Sequence, residues 1–421
     1  MLFMGTEISL DIGGVAVDWS KNSMGVDHGS LFQPEDRKRL PDPDREENDS
    51  IDPEFEMGFQ RSLGNTRMRL ELLGYTMGAV RKHYEHAAAE CREERENMRV
   101  SGYEHGLSTE FMSFDEALAF VAENPIGELS NTFLSRLDTS PSDIIGRFHN
   151  EKRMNLLPFF DGHETGYSER NHFVDSLGFM PPYSVLRLLA EVPNNCHHEL
   201  TWLYGPLAEN GWAQASDFVP EARRTEKYLI ATEGTSDIHI LKRAIKYLRP
   251  ELSDFFRFID VSERHPFSAA GNLVKFAEGL AKIDVHNKVL FLLDNDAEGR
   301  QAHQSILEMH LPSNMRAMTL PDHSSFEQIK TLGPAGDAIA NINGKAVAIE
   351  CFLDFEQEGS PDPRVRWTTY KARLGVYQGE LIDKDRYAKI FKKSENLNYD
   401  YSKLELLLEQ IVQECCQIAA P

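Results

Sequence analysis

The sequence predicts an α/β protein of two regions: a mainly helical region with a small β-strand segment at its start, then a parallel sheet flanked by helices. Two observations predict the sheet. Between residues 227 and 320, short apolar runs alternate with helical segments of about a dozen residues. The run over 288–293 is apolar almost throughout, as strands buried on both faces are. A length of 421 residues suits two or three domains, and we predict domains over residues 1–220 and 221–421.

The first region begins with a predicted hairpin. From Glu7 to Trp19, apolar residues alternate on both sides of Gly13-Gly14, a pattern typical of two strands joined by a tight turn. Residues 33–54 are polar and contain four prolines, so we predict a mobile loop. Helices are predicted from about Thr66 to Met98, from Ser113, where Ser113 and Glu116 form a capping box, and over residues 183–193.

The second region alternates between strands and helices. Predicted strands cover residues 227–232, 255–261, 288–293 and 315–320. Predicted helices cover residues 236–247, 269–283 and 298–311.

Composition excludes several classes of protein. Forty-five basic against 67 acidic residues give a net charge of −22, which argues against a basic nucleic-acid coat protein but not against an enzyme that acts on nucleic acid. No run approaches the roughly 20 apolar residues of a membrane span, and the start does not resemble a signal peptide. Five cysteines without a CxxC motif indicate a reducing cytoplasm.

Two acidic clusters follow predicted strands. Glu233 and Asp237 come after the first strand of the second region, and Asp294 and Asp296 come after the third. Ligands of open α/β sheets bind beyond the carboxyl ends of the strands, so we expect these acids to share one site. Crowded carboxylates raise one another's pKa unless a cation neutralises them. Hard oxygen ligands of this kind suit Mg²⁺ or Mn²⁺.

The first cluster also predicts how the next helix begins. We expect Gly234 to let the chain turn sharply out of the strand, Ser236 to cap the helix and Asp237 to lie in its first turn. For Asp237, simple capping is the alternative to a metal-binding role.

The two clusters together resemble a Toprim domain, the metal-binding module of bacterial primases, of type IA and II topoisomerases and of overcoming-lysogenization-defect nucleases. Glu233-Gly-Thr-Ser-Asp237 matches EGxSD, and Leu293 to Gly299 matches LDxDxxG. The resemblance covers about residues 226–355 and implies a Rossmann-like parallel sheet. It implies that Glu233 is the first-motif acid and that Asp294 and Asp296 are the metal-binding pair. Nucleases of this group often carry Glu where this chain has Asp237, which has a shorter reach.

A second resemblance extends over both regions. The segment Asn343-Gly-Lys-Ala-Val-Ala-Ile-Glu350-Cys-Phe-Leu353 is similar to one in bacterial proteins that combine a HEPN-type N-terminal domain with Toprim. The opening from Gly5 to Asn22 and the stretch from Gly64 to Tyr75 are similar to the same HEPN/Toprim-associated family. The resemblance implies an α-rich HEPN-like first domain. Overcoming-lysogenization-defect nucleases also use a further acid beyond the DxD motif, which makes Glu350 a further candidate metal ligand. The alternative is a surface acid on a helix, but the apolar residues on both sides of Glu350 favour a position at the edge of the core.

A basic strip follows the predicted sheet. Between residues 364 and 393 there are nine basic residues and only three acidic ones, with aromatic residues interleaved. Cations track a phosphate backbone and aromatic faces stack bases, so we predict nucleic-acid binding here. The candidates for this binding are Arg364, Arg366, Trp367, Lys371, Arg373 and Arg386. Lys384 is a candidate for stabilising charge on a transferring phosphoryl group, and overcoming-lysogenization-defect nucleases also place a lysine late in the chain.

HEPN ribonucleases use an Arg and a His four to six residues apart on one helix. Arg81 and His86 have such a spacing, as do Arg99 and His105, but Lys82 and Val100 stand where active members usually carry Asn, Asp or His. We therefore expect a structural or dimer-forming N-terminal domain, through which the chain could form a homo-oligomer.

These observations predict a metal-dependent nuclease acting on DNA or RNA, with tRNA among the candidates. The resemblance implies a role in bacterial defence against phage. It also implies an activating partner such as an ATPase, because Toprim nucleases of this group often work with an ATPase and this chain has no GxxxxGK[ST] motif. The alternatives are a HEPN ribonuclease with a regulatory Toprim domain, and a sensor or scaffold that binds nucleic acid without cutting it.

Overall fold

The computed structural model describes residues 5–41, 55–101, 108–135, 139–160, 167–259, 270–283, 285–334, 336–394 and 398–418. The chain divides into two units, Met1–Ala222 and Arg223–Pro421. The first unit contains antiparallel strands among helices, and the second contains a parallel sheet flanked by helices. The predicted α/β fold class is confirmed.

The first unit is organised around a five-stranded antiparallel sheet. Its elements in chain order are β1 (Glu7–Ile12), β2 (Val15–Lys21), β3 (Arg37–Pro41), β4 (Phe55–Ser62), α1 (Leu63–Leu72), α2 (Met77–Val100), α3 (Phe114–Ala122), α4 (Pro141–Ile144), α5 (Glu169–Asp175), α6 (Pro182–Leu189), β5 (Glu199–Leu203) and α7 (Gly205–Glu209). The strand order is β2-β1-β5-β4-β3. The predicted hairpin is present as β1 and β2, and its turn needs glycine because φ is +55° at Gly13 and +81° at Gly14.

The sheet of the first unit extends well beyond that hairpin. β3 lies in the segment predicted to be a loop, so the loop prediction is wrong over Arg37–Pro41, and residues 42–54 lie outside the described residues. β5 comes late in the unit and yet lies at the centre of the sheet, between β1 and β4. Its Trp202 and the following Tyr204 are buried against Phe59 and Phe218, which places the aromatic core on this strand.

The helices of the first unit begin and end at recognisable signals. The long predicted helix divides at Gly74, whose φ of +99° ends α1, and Thr76 caps α2 through the Ala79 N–H at 3.2 Å. The capping box before α3 is confirmed, because the Glu116 N–H donates to Ser113 Oγ at 3.3 Å and the Ser113 N–H donates to the Glu116 carboxylate at 2.8 Å.

The second unit contains a four-stranded parallel sheet and a smaller mixed sheet. Its elements in chain order are β6 (Tyr228–Thr232), α8 (Thr235–Leu248), β7 (Phe256–Phe258), α9 (Ala270–Lys282), β8 (Lys288–Leu293), β9 (Asn295–Asp296), α10 (Ala297–Leu307), β10 (Met315–Thr319), β11 (Ile329–Gly333), β12 (Gly336–Ala340), β13 (Ala346–Val347), β14 (Arg364–Lys371), β15 (Val376–Leu381), α11 (Lys384–Lys393) and α12 (Ser402–Cys416).

The parallel sheet has the order β10-β8-β6-β7, and all its predicted strands are present. Every residue of β8 is buried, which explains its apolar sequence. β7 is shorter than the predicted strand over 255–261, whose last two residues lie outside the described residues.

The second sheet lies after the parallel one in the chain, with the order β12-β11-β14-β15. The short pair β9 and β13 joins the two parts, because Asp296 pairs with Ala346 and the Gly379 N–H of β15 donates to the Lys345 carbonyl at 2.9 Å. β15 is thereby held beside the loop that follows β8. Among the described helices, none is long and apolar enough to cross a membrane.

Candidate metal centre

Two adjacent parallel strands bring the acidic clusters together. Glu233 directly follows β6 and Asp294 directly follows β8. The main-chain N–H of Asp294 donates to Glu233 Oε1 at 3.1 Å, which joins the two strand ends. Asp296 caps α10, because its Oδ1 accepts the Gly299 N–H at 2.7 Å.

The loop after β8 depends on a glycine. A Cβ on Gly299 would lie 2.1 Å from the carbonyl oxygen of Asp294, a distance no side chain tolerates. The glycine at the end of LDxDxxG therefore lets the first turn of α10, which Asp296 caps, lie directly against the backbone of Asp294 at the end of the strand.

The start of α8 differs from two of our expectations. Gly234 has an extended φ of −138°, and an added Cβ would meet nothing nearer than 3.6 Å, so the turn does not require glycine. Ser236 does not cap the helix, because its hydroxyl donates to Glu350 Oε1 at 2.6 Å. Capping falls to Asp237, which accepts the Gly234 N–H at 3.0 Å from the first turn.

Glu350 is a buried acid of the same site. It lies in the 3₁₀ turn Ile349–Phe352, and its relative exposure is 4%. A charged side chain is rarely buried so far without a partner, and Ser236 is its hydrogen-bond partner. The contact brings this segment to the start of α8, far from it in sequence.

The electrostatics show that these acids crowd one another. Burial, followed by the charges of Asp237, Glu233, Asp296 and Glu350, raises the pKa of Asp294 well above its usual value. Burial raises the pKa of Glu233 to about 7 and that of Asp237 also to about 7, with the charge of Glu350 adding to the shift at Asp237. Burial also raises the pKa of Asp296. Negative charge is therefore disfavoured here unless a cation offsets it.

Lys384 lies within electrostatic reach of this cluster. It is the first residue of α11 and lies 3.6 Å from Glu380 on β15. Burial lowers its pKa, but the charges of Glu350, Glu380 and Asp294 raise it, and the net shift is upward. The ammonium group is thus kept charged beside the acids.

Gln378 is a site residue that the sequence did not reveal. From β15 its amide donates to Asp296 Oδ2, and its own oxygen accepts the Glu298 N–H at 3.0 Å. Lys371 on β14 forms an ion pair with Glu298 at 2.5 Å. The second sheet therefore holds the loop after β8 from one side. These contacts join residues more than 70 positions apart, and no local pattern encodes them.

The donor chemistry of the cluster fits a hard divalent cation, because Glu233, Asp237, Asp294, Asp296 and Glu350 supply only carboxylate oxygens. In the described part of the chain, no three His, Cys, Asp or Glu side chains already converge on one point as metal ligands. Glu233, Asp237, Asp296 and Glu350 each accept a hydrogen bond from a neighbouring N–H or O–H group. The residue types and their shared electrostatics fit the ion.

The predicted basic strip is divided among a hairpin and a helix. Arg364, Arg366, Trp367 and Lys371 lie on β14, Arg373 lies in the turn before β15, and Arg386 lies on α11. The four arginines are exposed. Trp367 is partly buried, and an added Cβ on Gly379 would lie 2.9 Å from its ring. Lys371 forms an ion pair with Glu298, so its charge is already neutralised within the chain. The strip is therefore not a single surface of free cations.

The Arg and His pairs of the first unit do not form a polar site among the described residues. Arg81 lies 2.5 Å from Asp115 and over the ring of Phe114. His86 is exposed and lies 3.3 Å from Glu90. Arg99 contacts Glu96, and His105 lies outside the described residues.

Comparison with known proteins found one family. A family model described as HEPN/Toprim N-terminal domain 1 matches residues 4–226, which is just over half of the chain. The match covers the first unit and ends before Glu233. Comparison with curated proteins and with solved structures found no match.

Proposed function

Because the chain belongs to the HEPN/Toprim N-terminal domain 1 family, we propose that its second unit is a Toprim nuclease that hydrolyses phosphodiester bonds of DNA or RNA with Mg²⁺ or Mn²⁺. The observation that carries this proposal is the placement of Glu233, Asp294 and Asp296 at the ends of adjacent strands, where the charges of Asp237 and Glu350 also act on Asp294. Family membership supports a nuclease in general. The metal and the reaction are supported by the cluster.

Five carboxylates can hold one or two ions. Divalent ions bound there would supply an activated water and would stabilise the leaving oxygen of a phosphodiester. Neighbouring side chains position the carboxylates that would bind these ions. Gln378 fixes Asp296 from β15, and Ser236 fixes Glu350 from α8. Such outer contacts determine where ligand oxygens point and how basic they are.

Lys384 supports the reaction as a fixed positive charge. A transferring phosphoryl group accumulates negative charge, and a cation placed beside it stabilises that charge. The charges of Glu350 and Asp294 keep Lys384 protonated for this role.

The wider setting that we propose is defence against phage in the bacterial cytoplasm, with an activating partner such as an ATPase. It rests on the resemblance to overcoming-lysogenization-defect nucleases. If it is correct, the chain should lower phage titre on expression together with its genomic neighbour, and Asp294→Asn should abolish that protection. Protection that is retained in the variant would contradict this setting.

The proposed activity is tested with supercoiled plasmid and total cellular RNA, incubated side by side in Mg²⁺, in Mn²⁺ and in EDTA. We expect metal-dependent cleavage that is lost in Asp294→Asn. Glu308→Gln is the matched control, because it is the same kind of acid-to-amide change at the exposed far end of α10. Cleavage that persists in EDTA and in Asp294→Asn would show that the cleaving site lies outside this cluster. Binding without cleavage by the wild type would favour the sensor or scaffold.

A further inference from the structure

A groove between α8 and α11 opens beside the candidate metal centre. It encloses a volume of about 480 Å³, and Ser236, which donates to Glu350, lies in its wall. α11 begins at Lys384, so both helices start at the acid cluster. Farther along, the Arg243 guanidinium donates to the Ser394 carbonyl and lies 5.5 Å from the ring centre of Phe391, which joins the walls of the groove.

The groove is strongly basic in a chain of net charge −22. Lys242, Arg243 and Lys246 come from α8, and Lys389 and Lys392 come from α11, against Asp385 as the one acid in the lining. Among the described residues, none of these five cations forms an ion pair with a carboxylate. The four lysines are exposed. Positive charge that no carboxylate of the chain neutralises attracts an external polyanion.

The dimensions of the groove suit a nucleic-acid strand. From Ser236 to Tyr247, α8 rises about 16 Å at 1.5 Å per residue. A single strand stacked as in a duplex advances about 3.4 Å per nucleotide, so roughly four or five phosphates would lie along α8. Tyr247 lies at the far end with 48% of its surface exposed, available for base stacking, and Arg243 lies 4.7 Å from its ring centre.

We propose that this groove binds the phosphodiester backbone of a single strand and leads it to the carboxylate cluster. The proposal rests on the nuclease function proposed above and names the path of its substrate. It differs from the predicted basic strip, because half of the groove is supplied by α8, a helix outside that strip.

The test is binding of fluorescein-labelled 12-nucleotide DNA and RNA of one sequence, followed by anisotropy in EDTA over a series of salt concentrations. The triple variant Lys246→Gln, Lys389→Gln, Lys392→Gln removes three candidate phosphate contacts. Each contact to a single strand contributes about 0.7 to the slope of log affinity against log salt, so the slope should fall by about 2 in magnitude. At 0.1 M salt this corresponds to a loss of about 100-fold in affinity.

The matched control is Lys82→Gln, Lys152→Gln, Lys275→Gln, which removes the same charge from exposed lysines on other elements. We expect the control to keep the wild-type slope. Equal slopes for the two triple variants, or no binding by the wild type at low salt, would overturn the proposal. Because the measurement excludes metal and cleavage, failure of the nuclease function would leave this result unchanged, and the two failures are distinguishable.

Discussion

Replacing Glu233 by glutamine is expected to stabilise the metal-free protein at alkaline pH. Burial raises the pKa of Glu233 from 4.5 to about 7, so the fold disfavours its ionised form. The difference between these values corresponds to about 3 kcal/mol at a pH above both. The glutamine oxygen can still accept the Asp294 N–H, so the variant loses the charge and keeps the hydrogen bond.

The sign of the pH dependence follows from the raised pKa. Between the unfolded and folded values, the folded protein binds more protons, and stability is lost as the pH rises through about 7. The advantage of Glu233→Gln over the wild type should therefore grow from about 1 kcal/mol near pH 5.5 to about 3 kcal/mol near pH 8.5.

The assay is urea unfolding in EDTA at these two pH values, followed by fluorescence. Glu308→Gln is the control, since the side chain is exposed and far from the cluster, and it should show little change at either pH. An advantage of Glu233→Gln that is the same at both pH values, or a loss of stability near pH 8.5, would refute the claim that the cluster disfavours negative charge.

Three further predictions concern other residues of the site. Gln378→Leu removes the contact that orients Asp296, so the Mg²⁺ concentration for half-maximal cleavage should rise about 10- to 100-fold; an unchanged metal titration would contradict this role. Gly299→Ala should lower the midpoint of thermal unfolding by an amount equivalent to about 1–3 kcal/mol or more, because its Cβ would meet the Asp294 carbonyl. Gly234→Ala should destabilise the protein much less, because its Cβ has room. Equal losses in the two variants would show that α10 does not approach Asp294 this closely. Lys384→Ala should slow cleavage about 10-fold or more at saturating metal, with partial recovery in Lys384→Arg, and a rate equal to wild type would remove Lys384 from the mechanism.

The parallel sheet could be predicted because its signals are local. Lys288–Leu293 is apolar after its first residue because both faces of the strand are buried, and an acid directly after such a strand must lie at the carboxyl edge of the sheet. Strand order was not predicted, because nothing in one run of residues specifies which strand lies beside it. The adjacency of β6 and β8, which brings Glu233 to Asp294, is visible only in the structure.

The contacts that complete the site could not be predicted because they are long-range. Gln378 and Asp296 are 82 residues apart, and Ser236 and Glu350 are 114 residues apart. The position of Ser236, two residues after Gly234 at the start of a helix, favours a capping role. Its hydroxyl donates to the buried Glu350 instead. The same limit applies in the first unit, where β5 lies between β1 and β4 although it follows them by more than 130 residues.

The central claim, that the five carboxylates form a metal centre, is tested most directly by calorimetric titration with Mn²⁺ near pH 7.5. We predict one or two bound ions in the wild type, with proton release, since the pKa values of Glu233 and Asp237 of about 7 leave protons for the metal to displace. Asp294→Asn should lose most of this binding, and Glu308→Gln should keep it. Equal Mn²⁺ binding by the wild type and Asp294→Asn, or no binding by either, would contradict the account.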